Sequence, residues 1–251
     1  NICAMLENTS FAIASVSSAP KNRNPAAPFM TSTLQQEASR KLGLGTKETM
    51  MTAQRLYESG LITYMRTDGI DMAPEAAKDV LDLIIGMYGE NYAPKSPRIY
   101  KNASKNAQEA HECIRPTDIS VTPKTLPELE KIQTELYKLI WNRTVSSQME
   151  SAKFEATTVE VMNDEKSTSF RASGQVLLFD GFLKVYVEGR DDEKYSEGDT
   201  RLPQFTKGQQ VKLEKVMPEQ HFTQPPPRYS EATLVKRMEE LGIGRPSTYA
   251  S

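Results

Sequence analysis

Phe154-Glu155-Ala156-Thr157-Thr158-Val159-Glu160-Val161-Met162, then the turn pair Asn163-Asp164, then Thr168-Ser169-Phe170-Arg171-Ala172-Ser173, is the stretch on which the fold turns. β-branched and aromatic residues alternate with polar ones on either side of a short polar turn, the pattern of an antiparallel hairpin. Further strands are expected at Val176–Phe179, at Leu183–Val187 after an Asp180-Gly181 turn, and at Gln209–Val216. Upstream, Phe11-Ala12-Ile13-Ala14-Ser15-Val16 reads as a strand, and the proline-rich stretch from Pro20 to Pro28 reads as a connector.

Everything between these β regions has helical periodicity. Thr33 with Gln36 fits a capping box, Leu34, Ala38 and Leu42 recur at helical spacing, and Gly43 offers a C-cap. Thr46 opens a second helix, with Met50, Ala53, Leu56 and Tyr57 on its apolar face and Gly60 at its end. This leaves Leu61-Ile62-Thr63-Tyr64-Met65-Arg66-Thr67-Asp68-Gly69 as a loop or short strand just past a helix terminus. Pro74 starts a third helix through Val80, Leu81, Ile84 and Ile85, and Leu129, Ile132, Leu136, Leu139 and Ile140 mark a fourth running toward Met149. After Pro225-Pro226-Pro227, Ser230 caps a last helix through Leu234, Val235, Met238 and Leu241, ahead of Gly242. The order β, α, β, short α predicts a multidomain α and β chain in which a helical domain is inserted into an antiparallel β domain.

At 251 residues the chain exceeds the usual ~100–200 of one domain. No apolar run approaches the ~18 residues of a membrane span. Two cysteines, Cys3 and Cys113, and two histidines, His111 and His221, fit neither a disulfide framework nor a structural zinc site. The net charge of -2 argues neither for nor against a nucleic-acid partner, but its distribution is uneven. Between Pro20 and Arg66 seven cations face three carboxylates, Asp71 to Glu90 reverses the sign, and Lys95, Arg98, Lys101, Lys105 and Arg115 form a second basic stretch around His111. On charge alone, solvated faces without a partner fit equally well.

Three motifs carry chemistry. In Tyr64-Met65-Arg66-Thr67-Asp68, residues two apart in an extended segment point to one side, so a phenol and a guanidinium can meet one phosphate. A phenol, which titrates near ~10, needs such positive charge to become a nucleophile at neutral pH. Read alone, the pattern also fits a buried tyrosine beside a surface arginine. Ala110-His111-Glu112-Cys113-Ile114-Arg115-Pro116-Thr117 joins an imidazole to an arginine, a pair suited to a phosphodiester or to a histidine bonded at a helix end. Gly242-Ile243-Gly244-Arg245-Pro246-Ser247-Thr248-Tyr249 suits backbone cradling of phosphate, or a helix C-cap and turn. The acidic run Arg190-Asp191-Asp192-Glu193-Lys194 carries its own cations and reads as a solvated hairpin tip rather than a metal site.

Together these segments resemble the type IA DNA topoisomerases. The resemblance runs through Pro28-Phe29-Met30-Thr31-Ser32-Thr33-Leu34-Gln35-Gln36, Met50–Glu58, Leu61–Asp68, Gln108–Glu112, Phe179-Asp180-Gly181-Phe182, Gln220–Thr223 and Gly242–Ser251, in one order over nearly the whole chain. The last block, with Pro226-Pro227-Arg228-Tyr229-Ser230 before it, looks like the topoisomerase I branch, and Gly69 departs from the serine usual after the aspartate. The resemblance implies a toroidal enzyme. Residues 1–27 and 152–228 would form its β hinge, residues 28–151 a lifting helical domain, and 229–251 the start of a following helical DNA-binding domain.

It further implies an ATP-independent isomerase that relaxes negatively supercoiled DNA through a 5′-phosphotyrosyl intermediate. Tyr64, Arg66 and His111 would be catalytic, and Thr67, Asp68, Arg115, Arg245, Ser247 and Thr248 would contact DNA. Magnesium and the partner catalytic groups would belong to a Toprim domain that nothing here resembles, so no metal is expected on this chain. Alone it is expected to bind single-stranded DNA weakly, to be a monomer without a membrane, and to leave supercoils unrelaxed. Its setting would be the bacterial cytoplasm at the nucleoid. Tyrosine recombinases and type IB enzymes place the tyrosine late, whereas Tyr64 precedes His111 and Arg115 here. The other rival is a non-catalytic single-strand binding and gating module stacking bases on Tyr64, Tyr57 and Phe29.

Overall fold

The computed structural model describes residues 2–100, 112–189 and 201–249. The chain forms two compact units: Asn1–Arg23, Ala152–Asp180 and Ser196–Pro227 make the first, and Asn24–Ser151, Gly181–Tyr195 and Arg228–Ser251 the second.

The first unit contains helix α1 (Ile2–Glu7) and strands β1 (Phe11–Arg23), β2 (Ala152–Asn163), β3 (Ser169–Phe179) and β4 (Gln210–Val211). They form a four-stranded sheet in the order β3-β2-β1-β4. All pairings are antiparallel, with Phe11 opposite Asn163 and Arg23 opposite Ala152. β1 thus continues through Pro20 to Arg23, where a connector was expected. Among the described residues β4 pairs with β1 only at Phe11 and Ala12, so on that side β1 is an edge at Pro20, a setting in which a proline is tolerated. Two further expectations change. β3 is one strand rather than two, and of the strand expected at Gln209–Val216 only Gln210–Val211 pairs. Helix α1 precedes the first strand without having been foreseen. Phe11, Ile13, Phe154 and Val159 are buried, and Phe11 meets Phe170 edge-on with centroids 5.6 Å apart. Most of β3 is exposed.

The second unit is built on α2 (Thr31–Leu42), α3 (Thr46–Glu58), α4 (Pro74–Tyr88), α5 (Lys131–Ser147) and α6 (Glu231–Glu240). α2 begins two residues before the expected cap, so Thr33 lies in the first turn and its hydroxyl accepts the N–H of Met30 at 3.1 Å. It ends as expected on Gly43, whose φ of 68° lets Leu44 N donate back to Ala38 O, a closure that leaves few carbonyls unpaired. Pro74 starts α4 where its missing N–H costs nothing. Ala77, Val80 and Ile84 form that helix's buried stripe. α5 packs against α2, α3 and α4. Leu136, Tyr137, Ile140 and Val145 are fully buried there with Leu34, Ala38, Ala53 and Leu56 of the other helices. Burial of each such large side chain contributes about 1.5–3 kcal/mol.

The strand expected at Leu183–Val187 is instead a 3-10 turn, Gly181–Lys184, followed by irregular chain. Gly181 adopts φ 48°, and a Cβ there would come within 2.5 Å of Glu150 O, so the chain turns tightly at this point instead of extending. Phe182 N donates to Glu150 O and Phe182 is buried. Beyond it the Tyr186 hydroxyl donates to Glu37, which also accepts the Gly189 N–H and lies beside Arg40 and Lys41. Burial, reinforced by the Glu37 charge, pushes the Tyr186 phenol far above its ordinary range. That network anchors the turn to α2.

Candidate active site

Three strand-like contacts assemble the site. Phe29 bridges Ile114, Ile62 bridges Pro116 and Asp71 bridges Glu112, so the segment after α3 lies beside the segment around Arg115. Thr63 locks this pairing: its N–H donates to Arg115 O at 2.9 Å, its hydroxyl donates to Cys113 O at 2.7 Å and accepts from Arg115 N at 3.0 Å. Two residues on, the buried Thr31 takes over. Its hydroxyl lies 2.8 Å from Met65 O and 3.0 Å from Thr67 O and accepts Thr67 N at 2.9 Å, while Thr31 N donates to Thr67 O at 2.9 Å.

With its backbone held this way the segment alternates. Ile62, Met65 and Thr67 are buried, whereas Tyr64 and Arg66 are exposed. The tyrosine is not a core residue: it keeps 50% of its surface, and its side chain has no hydrogen bond or ion pair among the described residues. Its ring meets Tyr57, from the last turn of α3, edge to face at 5.4 Å and 70°. The Arg66 guanidinium reaches Ser247 O at 3.4 Å, a long contact that leaves most of its donors to solvent. The segment expected to be extended bends at Met65 and Arg66, so the two side chains are both exposed but are not aligned by strand alternation. An exposed phenol and an exposed cation on one loop are groups that phosphoryl chemistry can use.

Two of the expected DNA contacts turn inward. Thr67 is 2% exposed and its hydroxyl accepts the Gly69 N–H at 2.9 Å, so it shapes the loop. Arg115 donates to Glu112 Oε1 at 2.7 Å and to Pro116 O at 2.8 Å; Glu112 Oε1 also accepts Ala73 N at 3.0 Å. Its Nε and Nη1 are thereby given to protein acceptors, and through Glu112 the residue links its own segment to the start of α4. Burial, with the Glu112 charge adding, pushes the neighbouring Cys113 thiol up to about 12, which keeps it protonated and inert. Phe29 is fully buried and therefore is no stacking surface, whereas Tyr57 and Tyr64 are exposed. His111 and the acidic run from Arg190 to Lys194 lie outside the described residues.

The segment after α6 comes to the same loop. Arg245, Ser247 and Thr248 are exposed; Gly242 and Gly244 take φ of 69° and 84° ahead of a turn that the Thr248 hydroxyl closes by accepting Arg245 N at 2.9 Å. Burial, then the Glu239 charge, raises the Tyr249 phenol, with Asp68 contributing in the same direction. Asp68 is thus near the turn. The bonds made by Thr31 and Thr63 had no signal in the sequence, because they span 34 to 52 residues. Among the described residues no set of three or more His, Cys, Asp or Glu is gathered to hold a metal ion. No described helix is long and apolar enough to cross a membrane.

A family model described as DNA topoisomerase matches residues 1–251. DNA topoisomerase 1 of Rickettsia felis is 49% identical over 255 residues, covering 98% of this chain and 33% of its own length. That of Zymomonas mobilis is 50% identical over 250 residues, covering 98% of this chain and 20% of its own. Among solved structures, full-length topoisomerase I from Thermotoga maritima is similar with a TM-score of 0.82 and 36% identity, over 98% of this chain and 40% of that one. The chain therefore spans a third or less of these two curated relatives, and across that span it belongs to the DNA topoisomerase family, in its bacterial topoisomerase I branch.

Proposed function

We propose that this chain is the strand-cleaving and gate-forming segment of a type IA topoisomerase, with Tyr64 as nucleophile. The observation that carries the reading is a half-exposed phenol with an exposed arginine two residues on, in a segment whose backbone is held from both sides. The Tyr64 Oη attacks a DNA phosphorus and gives up its proton; the bond from phosphorus to the 3′ oxygen breaks, and that oxygen leaves as a hydroxyl. The 5′ phosphate stays on the tyrosine. Because the phosphodiester energy is kept in this ester, religation is the same step reversed and needs no ATP. Arg66 neutralises the non-bridging oxygens as charge builds. His111 orients the phenol and the DNA, and Asp68, Arg245, Ser247 and Thr248 position the strand. The helical body of residues 28–151 carries the tyrosine away while the β part acts as hinge, and another strand passes. The chain by itself is proposed to bind single-stranded DNA and to leave supercoils unrelaxed.

The test uses the longest natural chain that carries this sequence, with magnesium and single-stranded oligonucleotides labelled at either end. A denaturing gel is expected to show a protein band that retains only the 3′-labelled piece and is absent in Tyr64→Phe. A band retaining the 5′-labelled piece would overturn the assignment in favour of 3′ chemistry. No adduct at all would leave a binding and gating module.

A further inference from the structure

Tyr64 is held in two unequal ways. Its backbone is pinned on one side by Thr63 through Arg115 O and Cys113 O, and on the other by the Thr31 hydroxyl at Met65 O. Its side chain has no polar partner among the described residues and retains half its surface. Among the described residues its ring contact is Tyr57, with centroids 5.4 Å apart and planes at 70°. This edge-to-face arrangement is the one aromatic quadrupoles favour, and it restricts rotation of both rings.

Tyr57 is well anchored for such a task. It lies in the last turn of α3, where Gly60 N donates to Tyr57 O at 2.8 Å and Leu61 N donates to Leu56 O at 2.9 Å, while Leu56 itself is fully buried. Tyr57 keeps 41% of its surface exposed, so it is not a core residue.

We propose that Tyr57 is a positioning residue for strand cleavage, its ring holding the Tyr64 phenol in the orientation from which it attacks. The inference rests on the reading of Tyr64 as nucleophile. What Tyr57 supplies is the ring and not the hydroxyl: with the ring gone, the Tyr64 side chain samples other rotamers, and only a fraction of bound complexes have the oxygen in line with the phosphorus. Cleavage by positioning is sensitive to displacements of ~1 Å, so loss of one such restraint is expected to slow the bond-breaking step on the order of three- to tenfold.

The test measures single-turnover adduct formation at saturating labelled oligonucleotide, and DNA affinity separately, in the longest natural chain carrying this sequence. Tyr57→Leu keeps apolar bulk without a ring and is expected to slow cleavage about three- to tenfold, with affinity within about twofold of the parent. Tyr57→Phe restores the ring and is expected to recover the rate to within about twofold. Tyr57→Met, a second ring-free variant, decides the point if Tyr57→Leu melts early. Full cleavage rate in a folded ring-free variant would overturn the proposal, as would a Tyr57→Phe variant as slow as Tyr57→Leu, or a loss confined to affinity. Tyr64→Phe separates the two readings: an adduct persisting there removes the nucleophile and this inference with it, whereas a dead Tyr64→Phe beside a fast Tyr57→Leu removes Tyr57 alone.

Discussion

Replacing Thr31 by valine probes the framework of the site with almost no change of shape. The hydroxyl is fully buried, accepts Thr67 N and donates to Met65 O or Thr67 O. Thr67 O keeps its bond from Thr31 N, so the variant strands one N–H and one carbonyl, at Thr67 and Met65. Each buried orphan costs about 1–3 kcal/mol. The added methyl returns about 0.8 kcal/mol. Partial relaxation of the loop reduces the rest, leaving a net loss of about 2 kcal/mol, or a melting shift of about 4–8 °C for a chain of this size. Trp141 is the chain's one tryptophan, buried in α5 with its Nε1 donating to Ile119 O at 3.0 Å, so its fluorescence in urea reports unfolding of the helical unit. Thr134→Val removes an exposed hydroxyl from the same helix and serves as control, with an expected change within about 0.5 kcal/mol. A Thr31→Val midpoint indistinguishable from that control would refute the assignment of Thr31 as the clamp on the Met65–Thr67 backbone.

Four further outcomes are expected. Arg66→Ala slows adduct formation about 10- to 100-fold, from the loss of charge-assisted bonds, and Arg66→Lys recovers only part because it lacks the fork; equal rates for arginine and lysine would count against bidentate contact. Gly181→Ala costs about 3 kcal/mol or more, since a Cβ meets Glu150 O at 2.5 Å, whereas Gly43→Ala, with nothing within 4 Å, costs about 1–2 kcal/mol for its φ alone; urea midpoints compare them, and equal losses would refute the close approach. Burial, opposed by the Gln36 hydrogen bond, raises the Glu239 carboxyl, so the folded state binds its proton more tightly than the unfolded one. Its contribution is greatest below the ordinary carboxylate range and falls as pH rises through the raised value, so the stability of Glu239→Gln relative to the parent should grow between about pH 4 and pH 7; a constant difference would contradict this. Cys113, buried and with its thiol pushed up to about 12, stays unlabelled by a thiol reagent at about pH 8 until denaturant is added, and rapid native labelling of Cys113 would show the bridge region to be open.

Local patterns in the sequence determined the helical body and the hairpin. Gly43, Pro74 and Ser230 stand at the termini where their chemistry predicts them, because a left-handed cap, a missing N–H and a capping hydroxyl act within one turn of the backbone. The Asn163-Asp164 turn likewise sets the pairing of β2 with β3. What is decided between distant residues was not legible. β1 continues through Pro20 where, among the described residues, it is an edge on one side, since β4 pairs only at Phe11 and Ala12, and the stretch after Asp180 turns tightly because Glu150 lies against Gly181. The same divide runs through the site. Tyr64 and Arg66 stood out by residue type and spacing, yet whether the phenol is buried depends on Thr63 and Thr31, whose bonds cross 34 to 52 residues. The resemblance implies DNA contacts for Thr67 and Arg115, but the tertiary structure brings backbone and carboxylate partners to their side chains, since a donor's free valence depends on what the fold has brought beside it.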